Sequence, residues 1–466
     1  MKIQRLVARL RSVGVRDDGL GIVEVIVALM IFAVIALGMG YSLASMSRLT
    51  AESSNREAAT NLAAAELDRI QSLADPTSVA SGVVSPAPVV NGVTFTVTRS
   101  VGWVPTSGTA GRCGTGGGNL LYKRVNITVT WPTMYLENPV RADSALAPSS
   151  RINDPAAGTI IVAVKGVGGL GTSGVTVSVT PDSGGGGQAI AETINATDAD
   201  GCTYVLKVDP GLYTITISRS GYISSDNQTA GTIKAAQNVT AGSTLALNYD
   251  FDLAATFTPK YAANSTRTPA VAPNMPVFFV GDATKKETTP VSTEKLWAKS
   301  NGYAAVAGEF ATCAAVDPDA WSANATKQDG VRAATVNPEP GQTASIPVPM
   351  GVVTVTIPNA DSYITAVQQT SPAVDGAPGC ATPSTFSYNF STKYPRNTVV
   401  PIALPYGNWL LYTGTTAPGA RTTAVTTGAA VVDGAISLSD GTLLTGVPGG
   451  GSIAGALVTL DPRAAK

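Results

Sequence analysis

The sequence contains no histidine, only four cysteines, and just 14% charged residues in a chain of 466. Without an imidazole it cannot assemble a Ser-His-Asp or Cys-His nucleophile, a His-ligated zinc site or a His general base. The charged fraction lies well under the roughly 25% usual for soluble domains. Lysine plus arginine (31) almost balance aspartate plus glutamate (32), so the net charge of −1 gives no electrostatic footprint for nucleic acid. The cysteines, Cys113, Cys202, Cys313 and Cys380, are far apart and form no CxxC pair. This spacing argues against a metal cluster and for two disulfides in an oxidising, extracytoplasmic setting. No cofactor is expected, and an enzyme is disfavoured. The enzymatic reading that survives is an anchored extracytoplasmic hydrolase working with paired carboxylates. What is plentiful is glycine (48) and proline (30), roughly one residue in six, beside 44% hydrophobic residues that can fill cores. At roughly 150 residues per domain, the length points to about three globular units.

The few charges are unevenly placed. Lys2, Arg5, Arg9, Arg11 and Arg16 face only Asp17 and Asp18 in the first nineteen residues. An uncharged run from Val25 to Ser47 follows, long enough for a helix to cross a hydrocarbon core about 30 Å thick. A secretory signal peptide would end in a shorter apolar core and a small-residue cleavage site. Here the run passes instead into Ala59, Leu62, Ala63, Leu67, Ile70 and Leu73 at three- and four-residue spacing, with Glu52 and Arg56 at i,i+4 on the polar side. The spacing predicts one helix from Leu20 to Ala74, about 80 Å long, with Asp75-Pro76 as its stop. Its first half is lipid-soluble and its second half amphipathic. Glu24 stands out, because a carboxylate near the start of a spanning helix is costly unless it is partnered.

Gly19-Leu20-Gly21-Ile22-Val23-Glu24-Val25 in this setting resembles the type IV prepilins and the related pseudopilins of type II secretion. Their pattern is a basic leader ending in glycine, a cut after it, an apolar residue next, and glutamate fifth in the mature chain. The run Val23–Val34 resembles the V-type minor pilins and the minor pseudopilins more than major pilins. Leu20 stands where Phe is common, and Gly21 where Thr is usual. The resemblance implies a leader over 1–19, cleavage between Gly19 and Leu20 by a membrane prepilin peptidase, and N-methylation of Leu20 as a further step. It also implies that Glu24 compensates the terminal ammonium of a neighbouring subunit in a filament. A buried pair of that kind sets register, because breaking it leaves the other charge unpaired.

Beyond Pro76 the period changes from 3.6 to 2. Val93–Thr98 and Val125–Trp131 alternate around a glycine-rich loop, Gly108–Gly118, and a linker is expected near 147–155. Residues 159–165, 175–180, 203–208 and 213–218 read as sandwich strands separated by Gly, Pro, Asp and Ser clusters. The run Asp200-Gly201-Cys202, Asp209-Pro210-Gly211-Leu212-Tyr213 and Gly221-Tyr222 resembles carboxypeptidase regulatory-like, transthyretin-like and Cna-B-type modules. Cna-B-type modules often carry a Lys–Asn isopeptide bond, for which the resemblance nominates Lys165 and Asn248. Pro210-Gly211, Met350-Gly351 and Tyr406-Gly407 echo one another as turns before strands.

Three tempting motifs fail on context. Gly166–Gly171 matches GxGxxG but precedes a strand, so no helix N-terminus awaits a pyrophosphate. Gly184–Gly187 lacks the following Lys-Ser/Thr of a phosphate loop. Asp198-Ala199-Asp200-Gly201 lacks the later ligands of a calcium loop and reads as a tight turn. Four cysteines allow three pairings; Cys313–Cys380 with Cys113–Cys202 is favoured, and buried free thiols are the alternative.

The expected architecture is α+β: a long N-terminal transmembrane and stalk helix, a small antiparallel β domain, and two to three Ig-like or transthyretin-like sandwiches. The expected divisions are 1–19 leader, 20–74 helix, 75–150 pilin-like β domain, 151–250 regulatory-like sandwich, 251–345 second module and 346–466 third module. The expected function is a structural subunit of a type IV pilus-like filament, a low-abundance minor or tip pilin. The alternative is a type II secretion pseudopilin contacting cargo. Expected partners are a prepilin peptidase, other pilins or pseudopilins, the membrane before assembly, and a surface ligand or carbohydrate. The expected location is the bacterial cytoplasmic membrane and surface, with the chain extracytoplasmic beyond about residue 47 and its anchor at the N-terminus alone.

Overall fold

The computed structural model describes residues 21–73, 78–106, 111–115, 118–132, 134, 138–147, 154–228, 233–281, 285–287, 289–358, 360–370, 374–380, 386–425, 429–433 and 457–466. One long helix precedes many mostly antiparallel strands, an α+β chain with a sandwich-rich body. It divides into two compact units, one of Met1–Val104 with Leu121–Ser150, the other of Pro105–Leu120 with Arg151–Lys466.

In the first unit, helix α1 (Ile22–Gln71) is continuous for 50 residues, a length of about 75 Å at 1.5 Å per residue. The absence of proline and the run of Ala, Leu, Ile and Val around Gly38 and Gly40 keep it unbroken. Its apolar half is exposed except at half-buried Ser45, while Glu52, Ala59, Ala63, Glu66 and Ile70 form a buried stripe at helical spacing. Leu62 and Leu67 flank that stripe, and Leu73 stays exposed. The stripe packs on a sheet of β1 (Gly82–Val83), β2 (Thr96–Pro105), β3 (Leu120–Thr130) and β4 (Val140–Leu146), in that spatial order. Alternate residues Val97, Val101, Val125, Ile127 and Val129 point to the helix, as a period of two requires. Ala59 and Ala63, both essentially inaccessible, let the helix backbone approach the sheet closely.

The second unit opens with a sandwich of β5 (Gly158–Lys165), β6 (Thr176–Pro181), β7 (Cys202–Val208), β8 (Gly211–Ser218), β9 (Tyr222–Ser224), β10 (Ile233–Val239) and β11 (Thr244–Leu253). One sheet has the order β10-β8-β6 and the other β9-β11-β5-β7. Pairing is antiparallel except that β11 runs parallel to β5. Ile160, Val162 and Val164 face Tyr213, Ile215 and Ile217 in a single apolar layer.

Residues from Ala255 to Leu460 supply one further core. β12 (Ala255–Tyr261) runs parallel to β13 (Thr343–Val348). β14 (Gly351–Thr356) pairs antiparallel with β16 (Val399–Leu404), and β15 (Tyr363–Gln369) with β17 (Gly407–Gly414). Finally β18 (Leu457–Leu460) pairs with the start of β17. Residues 345 and 346, where a division was expected, both lie inside β13. Phe257, Val352, Trp409 and Leu460 are buried in the same cluster. The echoed glycines Gly211, Gly351 and Gly407 each open a strand, β8, β14 and β17.

Candidate functional site: the helix start and the buried charges

Gly19 and Leu20, with the whole leader, lie outside the described residues. The description begins at Gly21, whose extended backbone (φ −61°, ψ 139°) caps α1 without a side-chain bond. Glu24 sits in the first turn, its amide donating to the Gly21 carbonyl at 2.9 Å. A carboxylate there is favoured by the unsatisfied amides of the helix start. Its side chain is exposed among Ile22, Val23, Val25 and Ile26, and no cation among the described residues pairs with it. The helix is the one among the described residues that is long and apolar enough to cross a membrane.

The acids of the lower half are treated differently. Glu66 accepts from Arg69 Nε and Nη2 at 2.8 Å each, and from Arg99 Nη1 on β2 at 2.8 Å. The hydrogen bonds from Arg69 hold the Glu66 carboxyl below its usual range against the opposing effect of burial, and Arg99 adds to them. Glu52 accepts from Arg56 Nε at 3.2 Å, and Arg56 Nη2 reaches the Asn138 carbonyl at 2.9 Å while its guanidinium lies 5.9 Å from the Trp131 ring centre. On β3, buried Lys123 donates to the Val79 carbonyl at 2.7 Å and lies 5.2 Å from the Trp103 ring centre. Alternation alone does not single out Lys123, since a lysine in a strand normally marks the wet face.

Cys113 is bonded to Cys202 and Cys313 to Cys380, both pairs within the second unit. The Gly166–Gly171 motif is a loop between β5 and β6, closed by Gly166 N–H to the Leu170 carbonyl and Gly169 N–H to the Gly166 carbonyl, 2.9 Å each. Asp198 Oδ1 accepts from the amides of Asp200 and Cys202 at 2.9 Å, making the tight turn that feeds β7. Gly185 and Gly187 pack by their backbones against Leu212 and Tyr213, and the Tyr213 hydroxyl donates to the Asp209 carbonyl while accepting from Gln188 N–H, 2.9 Å each. The glycine run therefore serves close packing. The nominated Lys165–Asn248 pair is not formed. In the parallel register Asn248 stands opposite Ala163, while Lys165 stands opposite Asp250, its Nζ 3.5 Å from the carboxylate on the exposed face. A two-residue offset and an exposed setting remove the buried environment such a bond needs.

A charge cluster at the C-terminal end was not evident beforehand. Arg463, its side chain wholly buried, pairs with Asp461 (Nη2–Oδ2 2.9 Å) and donates to the carbonyls of Ser322 and Asp375 at 2.5 and 2.9 Å. Its guanidinium lies 5.2 Å from the Trp321 ring centre. The sequence signal is slight: an arginine two residues after an acid, next to a proline.

No family model matches the chain, and no curated protein matches it in sequence. Among solved structures, it is similar to the Bacillus anthracis TIE protein, at 12% identity over 74% of this chain and 71% of that one, with a TM-score of 0.19. It is similar to BcpA, the major pilin subunit of Bacillus cereus, at 10% identity over 56% and 88% of the two chains (TM-score 0.17). It is similar too to a streptococcal ancillary pilin, at 10% identity over 59% and 95% (TM-score 0.13). Scores this low establish no shared arrangement of whole chains, so the functional reading rests on this chain's own residues.

Proposed function

We propose that this chain is a membrane-anchored structural subunit of a type IV pilus-like filament, released from its leader by cleavage between Gly19 and Leu20. The observation that carries the reading is the division of α1. Its upper half is apolar and exposed and carries in its first turn Glu24, with which no cation among the described residues pairs, whereas its lower half is fixed to a sheet by Ala59, Ala63, Ile70 and the Glu66 pairs. A carboxylate at the head of a lipid-soluble helix is costly unless a cation partners it. Cleavage after Gly19 creates one, the α-ammonium of Leu20, four residues before Glu24 and its carboxylate in every copy. Head-to-neighbour pairing of these two charges fixes the axial offset between adjacent helices.

N-terminal sequencing of the mature protein tests the processing step, with Leu20 as the expected first residue. Gly19→Val should leave the chain uncut and outside filaments. Glu24→Ala should insert and be cleaved normally but lose incorporation by more than tenfold. A mature chain beginning at Met1, or normal incorporation of the Glu24 variant, would sink the reading.

A further inference from the structure

We infer that the Cys113–Cys202 disulfide is a permanent mechanical bypass: tension between the N-terminal helix and the C-terminal body runs through its sulfurs and spares residues 114–201. The argument is one of covalent connectivity. Helix α1, β1 and β2 precede Cys113, strands β3 to β6 lie between the two cysteines, and β7 to β18 follow. In a chain pulled from its ends, a cross-link makes the enclosed loop silent. The silent stretch holds β3 and β4, which complete the sheet under the helix, and β5, which is flanked on both edges in its own sheet. With the bond in place, none of these strands can be drawn out by pulling the ends.

The bond is set in a built site. Residues 105–120 leave the β2–β3 connection and belong to the second unit with Cys202. Thr106 N–H closes the neck of this loop on the Asn119 carbonyl at 2.7 Å, and Asn119 Nδ2 donates to the Gly242 carbonyl at 3.1 Å. Arg112 Nε lies 3.7 Å from the buried Asp200 carboxylate. Beneath Cys202, the Asp198 turn is packed so tightly that a methyl on Gly171 would overlap the Asp200 carbonyl, and one on Gly201 the Val164 carbonyl. The sulfurs are shielded, Cys113 being 7% exposed and Cys202 2%. Thiol–disulfide exchange requires a thiolate to reach a sulfur, so the folded protein keeps the bond closed. The bypass is therefore constant and not a redox switch.

This inference goes beyond the filament reading, since it holds for any load on the chain and its test involves no filament. Full-length protein in detergent micelles, tethered through its N-terminal segment and through Lys466, is stretched to complete unfolding in a single-molecule force experiment. Wild type is compared with the Cys113→Ser/Cys202→Ser variant, both unreduced. The variant should end about 300 Å longer, for the 89 residue spacings released at roughly 3.4 Å each. This total does not depend on how well the variant folds. In parallel, folded wild type in millimolar dithiothreitol should lose the Cys113–Cys202 linkage at least tenfold more slowly than denatured wild type, scored by alkylation and peptide mapping. Equal final lengths, or Cys113 mapped to another partner, would overturn the bypass. Equal reduction rates would overturn its permanence.

Discussion

Glu24 and Glu66 are acids on one helix with opposite fates, and the difference is what their surroundings supply. Glu66 is buried against a sheet that brings Arg99 to it, and its own helix brings Arg69 three residues later. Removing one partner of a buried, hydrogen-bonded pair leaves the other uncompensated. Glu66→Gln should therefore destabilise the helix–sheet unit by about 2–3 kcal/mol at pH 7. Because the folded carboxyl binds its proton less tightly than the unfolded one, this contact contributes fully above the ordinary carboxyl range. Its contribution is lost as the pH falls through the folded-state value. Thermal unfolding followed at pH 7, 5, 4 and 3 should show the gap between wild type and Glu66→Gln closing towards the acid end. A gap that stays constant down to pH 3 would show that the carboxylate's charge is not what matters.

Among the elements, the loops reveal more than the strands. The six residues Gly166–Gly171 read literally as a dinucleotide fingerprint, yet their glycines answer to different needs. Gly168 has open space where a side chain would go, whereas a side chain on Gly171 would meet the Asp200 backbone. Gly171→Ala should therefore cost the sandwich about 2–3 kcal/mol through overpacking, and Gly168→Ala should stay within about 0.5 kcal/mol. Urea unfolding of both variants, read by the fluorescence of the full chain and by protection of β5 amides from exchange, separates the two. Equal effects would mean that the motif acts as a unit, contrary to a simple packing role. The same logic explains the Gly184–Gly187 run, where backbone meets Leu212 and Tyr213 with no room for a Cβ at Gly185 or Gly187.

At the scale of the whole molecule, the proposed assembly meets a size limit. Helices of a filament lie side by side, so every head must fit within a small axial rise. The second unit, with 105–120 and 151–466, has by ordinary scaling a radius of gyration of about 20 Å. Bodies of that size at every position along a shaft would collide, whereas a tip or sparse position avoids the conflict. Immunogold labelling against residues 251–466 should mark filament ends or isolated points. Continuous labelling of the shaft, with this chain its main component by mass, would refute the steric argument.

Much of this was legible in order along the chain, because periodicity is a local property. The uncharged run to Ser47, the stripe from Ala59 to Ile70, and the alternation in 159–165 and 213–218 each determine an element from its own residues, with solvent deciding which face turns inward. The absence of histidine and the balance of charge bounded the chemistry in the same way. Tertiary structure alone decided the rest, since it depends on which distant residues meet. The Glu66–Arg99 pair, the burial of Lys123 beneath Val79 and Trp103, the Lys165–Asp250 register and the seat of Arg463 between Ser322 and Asp375 all join segments remote in sequence. So does the single core that runs from Ala255 to Leu460 across residue 345. A parallel pairing such as β12 with β13, eighty-odd residues apart, leaves no trace in either strand, because each carries only the pattern of its faces and none of its partner.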